Sequence, residues 1–290
     1  MSSNETLVGQ TLRELKELLV SWNEPAYRGD QLARWLYRPV ASIDEMSNLP
    51  VELRDRLAQE MVHHPCMIQT VRQSIDGTRK YLLALGDGQL IESVFIPETD
   101  RATVCISTQV GCQMGCTFCA TGARGFARNL TAGEIVDQIL QVALDVGSIP
   151  TNVVYMGMGE PLANFAALLK SIEIINSPWG LNIGIRQITV STCGLVPGIR
   201  RLQEAGLGLT LAVSLHAADD EKRSRIMPIN RTFGLDELLQ TLHGYVRATN
   251  RRITIEYALM AGFNDTKEDA RSLIRILKGL LCHVNLIPVN

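Results

Sequence analysis

Ala102-Thr103-Val104-Cys105-Ile106-Ser107 is an apolar stretch of strand length, and Cys112-Gln113-Met114-Gly115-Cys116-Thr117-Phe118-Cys119 follows it. The same order, apolar strand and then a loop rich in chemically active residues, recurs along the rest of the chain. Strand candidates are 102–107, 152–156, 187–191, 209–214, 253–259 and 283–288. Helical patterns fill the intervals at about 131–146, 163–176, 196–205, 235–249 and 266–280. The first of these helices opens on a capping box, Thr131 with Glu134. Buried strands alternating with helices predict a parallel sheet. Six such units are too many for a small dinucleotide-type domain. The predicted fold class is therefore α/β, an open six-stranded partial barrel, with a doubly wound sheet as the alternative.

The cysteine run is a C-x3-C-x2-C spacing. Three thiolates on one short loop can hold three irons of a cubane cluster and leave the fourth open to an outside ligand. Ferredoxin runs are spaced differently and carry a further cysteine. Structural zinc asks for paired knuckles with four ligands, and no second knuckle follows here. Free cysteine often packs as a small apolar side chain, but three within eight residues is hard to explain by packing.

In barrel-type α/β folds chemistry gathers where strands end. Gly157-Met158-Gly159-Glu160-Pro161 follows the second strand candidate, Ser191-Thr192-Cys193-Gly194 ends the third, Ser214-Leu215-His216 ends the fourth, and Asn290 lies just past the sixth. All of them are predicted to face one mouth.

Upstream, residues 4–62 read as helical, punctuated at Pro25, Pro39 and Pro50. Residues 67–97 read as β-structure, with Lys80–Leu85 and Gln89–Ile96 flanking Gly86-Asp87-Gly88, a hairpin signal. The expected division is a small all-α module over 1–66, a β-hairpin extension over 67–100, and the α/β domain over 101–290.

The formal charge is −2, and residues 1–66 hold 7 Lys/Arg against 10 Asp/Glu, so no basic field announces nucleic acid. No apolar span is long enough for a membrane helix, and Met1-Ser2-Ser3-Asn4-Glu5 is not the start of a signal peptide. Seven cysteines, three of them clustered, suit a reducing compartment and predict a cytoplasmic protein.

With these pieces placed, the chain resembles the radical S-adenosylmethionine enzymes, and more narrowly the RlmN/Cfr family of RNA adenine methyltransferases. The C-x3-C-x2-C run carries only the wider resemblance. The narrower one rests on Arg101–Cys105, Ser107–Cys112, Gly125–Leu130, Met156–Leu162, Val190–Gly194, Ser214–Ala217, Val284–Pro288 and Tyr27–Leu32.

The resemblance implies a partial (β/α)6 radical-SAM barrel and an RNA substrate, C2 of adenine in 23S rRNA and in tRNA. It implies Cys112, Cys116 and Cys119 as ligands of a 4Fe–4S cluster whose open iron takes S-adenosylmethionine. Gly159, Glu160, Ser191, Ser214, Leu215, His216 and Asn290 would bind that cofactor, with Glu160 offering a carboxylate to the methionyl ammonium. An electron donor such as flavodoxin would serve it, and the protein would act as a monomer.

The target carbon is a poor nucleophile, and in the family a methyl group is first placed on a protein cysteine near the C-terminus. Two further residues match this chemistry. Glu92 matches the acceptor of the ring proton, and Cys105 matches the thiol that frees the product and leaves a disulfide. Out of that context a lone strand carboxylate is usually solvated, and His216 would read as a core histidine. The family pattern continues past Val284–Asn290 with a tail bearing the methyl-carrying cysteine, and Cys66, Cys193 and Cys282 do not match its place. The expectation is an RlmN-type protein whose carrier cysteine lies outside these 290 residues. Methylation at C8, a non-catalytic iron–sulfur or RNA-binding protein, and a zinc module are the rival readings.

Overall fold

The computed structural model describes residues 6–288. In chain order the helices are α1 (Leu12–Ser21), α2 (Tyr27–Leu36), α3 (Val51–Glu60), α4 (Ala120–Ala123), α5 (Ala132–Val146), α6 (Phe165–Asn176), α7 (Val196–Glu204), α8 (Asp220–Ile226), α9 (Leu235–Thr249) and α10 (Lys267–Leu277). The strands are β1 (Cys66–Gln73), β2 (Arg79–Leu85), β3 (Leu90–Pro97), β4 (Ala102–Cys105), β5 (Gln109–Gly111), β6 (Phe126–Asn129), β7 (Asn152–Tyr155), β8 (Ile188–Thr192), β9 (Thr210–Ser214), β10 (Ile253–Leu259) and β11 (Cys282–Pro288). Every strand and helix expected downstream of residue 101 is present within a few residues of its predicted bounds. Helices α4 and α8 and the short strands β5 and β6 were not foreseen.

The chain divides into two compact units. The first comprises residues 1–110, 129–157 and 166–184. Its N-terminal part is helical. Thr11 caps α1 with a capping box to Glu14, and Pro50 precedes α3. Leu15, Leu19, Leu32 and Leu36 are fully buried along one side of α1 and α2.

The strands of this unit run in the order β1-β2-β3-β4-β7. The first three pairings are antiparallel and the last is parallel. The Gly86–Gly88 turn closes the β2–β3 hairpin as its sequence predicts, with Leu85 N–H donating to the Gln89 carbonyl at 2.9 Å. Along β3 burial alternates, so Ile91, Ser93 and Phe95 face the core while Glu92 and Val94 lie on the more open face.

Helix α5 packs against this sheet and is buried from Ala132 through Ala143, polar residues included. Gln138 explains part of that. It accepts hydrogen bonds from Ser93 Oγ–H (2.7 Å) and Ser107 N–H (2.8 Å) and donates to the Ser107 and Glu134 carbonyls, both at 3.0 Å. Its burial is therefore fully partnered.

The second unit comprises residues 111–128, 158–165 and 185–290. Strands β8-β9-β10-β11 are parallel neighbours. Helices α7 and α9 pack together. Right-handed strand–helix repetition places the C-terminal ends of β8, β9 and β10, with the loops after them, on one edge. No helix among the described residues is long and apolar enough to cross a membrane.

Candidate cluster and cofactor site

The thiol loop belongs to the second unit and is built on a tight backbone contact. Gly111 has φ +75°, and a Cβ there would lie 1.9 Å from the Gly125 carbonyl oxygen. Only glycine lets the two ends of the loop touch, and Cys112 N–H then donates to Gly125 O at 2.8 Å. Cys119 caps the single turn of α4, and its N–H donates to Cys116 O at 3.2 Å.

Cys112, Cys116 and Cys119 are all half-buried free thiols. Burial, followed by the neighbouring Cys112 and Cys119 thiols, pushes the Cys116 thiol up to about 12. Burial also raises Cys112, with the Glu160 and Cys119 charges adding to it. These thiols therefore sense one another. Their mutual repulsion as thiolates would be relieved by bound cations.

Among the described residues, no three His, Cys, Asp or Glu side chains gather round a single metal-ion position. A cubane cluster makes a different demand, one thiolate for each of three separate irons. The donor chemistry of the loop fits such a cluster.

Three contacts tie this loop to the strand ends. Thr117 N–H donates to Ile226 O at the end of α8, at 3.0 Å. Met114 and Cys116 pack on the apolar group of Cys193, Ile226 and Met227. Phe118 meets the His216 ring edge-on, with centroids 4.8 Å apart and planes at 79°.

Glu160 is buried, and its carboxylate is turned into the protein. Oε1 accepts from Leu162 N–H at 3.1 Å and Oε2 from Cys193 N–H at 2.8 Å. It thus braces the Gly159–Leu162 loop against the loop after β8. Burial raises its pKa, and the backbone donors at Cys193 and Leu162 work against that rise. The sequence suggests a carboxylate aimed at an ammonium; in the fold its first partners are backbone N–H groups.

Ser191 lies in β8 opposite Ala212 and is half-buried. Ser214 ends β9. Leu215 is fully buried, and its N–H donates to Glu256 O at 3.0 Å. His216 is 5% exposed in a left-handed conformation, φ +56°, which a bulky side chain seldom adopts. Two bonds hold it there. Its Nδ1 accepts from Ala258 N–H at 2.9 Å, and its carbonyl accepts from Asn264 Nδ2–H at 2.7 Å. An Nδ1 that accepts leaves the ring proton on Nε2. Burial, with the nearby Arg223 charge, holds the ring down at about 4, so it is neutral. Asn290 lies outside the described residues.

The two remaining expected residues belong to the first unit. Glu92 projects from the open face of β3, and its carboxylate meets Lys80 Nζ at 2.9 Å. Cys105 ends β4, opposite Val94 and Val154. Burial pushes its thiol up to about 11, against a backbone hydrogen bond from Met156. All seven cysteines are free. The structure therefore holds no disulfide, and Cys105 stands as a half-buried, protonated thiol.

Sequence reasoning missed two residues of this site. Asn264 is buried and holds the His216 and Ala258 carbonyls and Met260 N–H. Arg223 is wholly buried beneath the β8 and β9 loops. Nothing local in the sequence marks either residue, since both depend on carbonyls far along the chain.

These features are those of a radical S-adenosylmethionine protein, and residues 106–274 match the model of the Radical SAM superfamily. Residues 6–62 match the Ribosomal RNA large subunit methyltransferase N-terminal domain. A "Probable dual-specificity RNA methyltransferase RlmN" from Clostridium perfringens (strain SM101 / Type A) is 49% identical over 282 residues, covering 97% of this chain and 81% of its own length. A protein of the same name from Clostridioides difficile (strain 630) is 44% identical over 96% of this chain and 81% of its own. The crystal structure of a radical SAM methyltransferase from Sphaerobacter thermophilus superposes with a TM-score of 0.95 at 46% identity, covering 99% of this chain and 85% of that one. The chain belongs to the RlmN family of radical SAM RNA methyltransferases. The family works with a 4Fe–4S cluster and S-adenosylmethionine.

Proposed function

We propose that the chain methylates C2 of an adenine in 23S rRNA and in tRNA. The reading is carried by the bracing of the thiol loop against the β8 and β9 loops, through Thr117–Ile226, Cys116–Cys193 and Phe118–His216. An electron carrier needs the thiols alone. It does not need a neutral, strained histidine and a buried carboxylate arranged beside them.

Cys112, Cys116 and Cys119 would hold the 4Fe–4S cluster. Gly159, Glu160, Ser191, Ser214, Leu215 and His216 would bind S-adenosylmethionine, with Asn290 expected to join them. When bound, this pair of cofactors supplies one-electron cleavage of a C–S bond. Glu160 fixes the Gly159–Glu160 backbone, whose carbonyls would accept from the methionyl ammonium. His216 keeps its Nδ1 on Ala258 and has one ring N–H left to offer.

Glu92 accepts the proton lost from the adenine ring. In the resting protein its carboxylate is paired with Lys80 Nζ at 2.9 Å. Cys105 is the resolving thiol. Thiol exchange needs a thiolate, and Cys105 at about 11 is protonated near neutral pH. It must therefore lose its proton during turnover and is inert in the resting protein.

The working division is a helical accessory module over residues 1–66, a hairpin extension over 67–100 and the barrel over 101–290. The protein acts in the cytoplasm as a monomer, with a flavodoxin-type electron donor. Nucleoside mass spectrometry of 23S rRNA and tRNA, from cells with and without the gene, tests the assignment. Loss of 2-methyladenosine on deletion is expected; loss of 8-methyladenosine in its place overturns it.

A further inference from the structure

Arg223 is 0% exposed. Its guanidinium donates to four acceptors: Nε–H to Leu215 O at 3.1 Å, Nη1–H to Asn230 Oδ1 at 2.7 Å, and Nη2–H to Cys193 O at 2.7 Å and to Ser214 O at 3.1 Å. All four are neutral. Among the described residues no carboxylate pairs with it. The adjacent Asp220 carboxylate instead accepts from Asn230 Nδ2–H at 2.8 Å and Leu235 N–H at 2.9 Å. Gly194 makes room for the guanidinium, since a Cβ there would sit 3.1 Å from Nη2.

A buried cation with hydrogen bonds but no carboxylate in direct contact, the Asp220 charge reaching it only from behind Asn230, is costly to keep. Arginine does not escape the cost by losing its proton. A well-packed apolar side chain would fill the space more cheaply, unless an anion arrives to complete the pair. The surroundings point to where that anion sits. Arg223 clamps the carbonyls of Cys193, Ser214 and Leu215, all on the two strand-end loops of the site. The helix that carries it holds the thiol loop through Ile226 O and Thr117 N–H. Its charge acts on the Cys193 and Cys116 thiols and on the His216 ring as well as on the Asp220 carboxylate.

We propose that Arg223 is a positioning residue that also serves as the buried counter-charge of the cluster, favouring its reduced form. The inference rests on the three-thiolate cluster reading above. Reduction there adds one electron and no proton, so the site gains one negative charge, and a fixed cation nearby stabilises that state. Cluster potentials follow net charge and burial in this way. The four hydrogen bonds fix the cation, so it need not reorganise as the charge changes.

The test is an EPR-monitored redox titration of the anaerobically reconstituted full chain, for the parent, Arg223→Lys and Arg223→Met. The expected result is a midpoint potential close to the parent's for the lysine variant. The methionine variant should shift to a clearly more negative potential at equal iron content. If the methionine variant fails to load, Arg223→Gln keeps an amide donor for the Cys193 and Ser214 carbonyls and carries the same expectation. A loaded neutral variant with the parent's potential overturns the proposal. So does failure of all three variants to load, the lysine one included, because the guanidinium would then be structural only. A parent chain that takes up no cluster refutes the cofactor reading itself, a result separate from either of these.

Discussion

Two buried ionic groups in this chain are handled in opposite ways. In the first unit the His64 ring places Nδ1 2.5 Å from Asp137 Oδ1 and Nε2 2.9 Å from the Val40 carbonyl. The Asp137 Oδ2 accepts from Cys66 N–H at 2.8 Å. Every polar atom is used and the charges cancel. The pair joins the end of the helical part to the start of β1 and to α5. In the second unit Arg223 makes four hydrogen bonds, all to neutral acceptors, and no direct ion pair. A closed pair needs nothing more, which suits a structural joint. An open cation beside thiols and cofactor loops is suited to something that binds later.

Asp137→Asn should have the largest effect on stability, because it removes the buried carboxylate that both the His64 ring and the Cys66 N–H engage; breaking such a buried pair costs about 3–5 kcal/mol. Chemical denaturation of the unloaded chain would measure it, and the cluster potential of loaded protein should not move. Equal stability would mean that the joint is not closed as described.

His216→Ala should cost less, about 1–3 kcal/mol, since it strands the Ala258 N–H in a buried site. It should also weaken S-adenosylmethionine binding, read by equilibrium binding to the reconstituted protein. The His64 joint also predicts a pH dependence. Burial alone would lower the ring's pKa, but the hydrogen bond and charge of Asp137 overcome that and raise it. Its contribution is then fully present below the ordinary histidine pKa of about 6.5 and is lost as pH rises through the folded value. Unfolding midpoints across this window should fall more steeply in the parent than in His64→Ala.

Lys80→Ala should have the smallest effect on stability, under about 1 kcal/mol, because the Lys80–Glu92 pair is exposed. Glu92→Gln should be equally mild for the fold. In RNA methylation assays it should stop product formation while leaving S-adenosylmethionine cleavage intact.

The sequence made the scaffold legible wherever period and punctuation agreed. The apolar run 253–259 is β10 to the residue, and Thr131 with Glu134 opens α5 as a capping box should. The thiol loop and the strand-end motifs were legible because few other roles explain their residue types. Helix α8 was not, for a physical reason. Asp219-Asp220-Glu221-Lys222-Arg223 has no apolar period and reads as a solvated charge run, yet Arg223 is drawn inside by carbonyls from two other loops. Gln138 and Asp137 were hidden in the same way, as polar positions of a helix that is buried all round. Glu160 was found, but the direction of its carboxylate was not, because the Cys193 N–H it braces is 33 residues away.

Anaerobic reconstitution with iron and sulfide, followed by reduction in the presence of S-adenosylmethionine, tests whether the three thiols hold a cluster that cleaves the cofactor. The expected outcome is a brown protein that forms 5′-deoxyadenosine and methionine, with both colour and cleavage lost in Cys116→Ala. A fully loaded cluster that leaves S-adenosylmethionine intact, or a chain that takes zinc in place of iron, would contradict it.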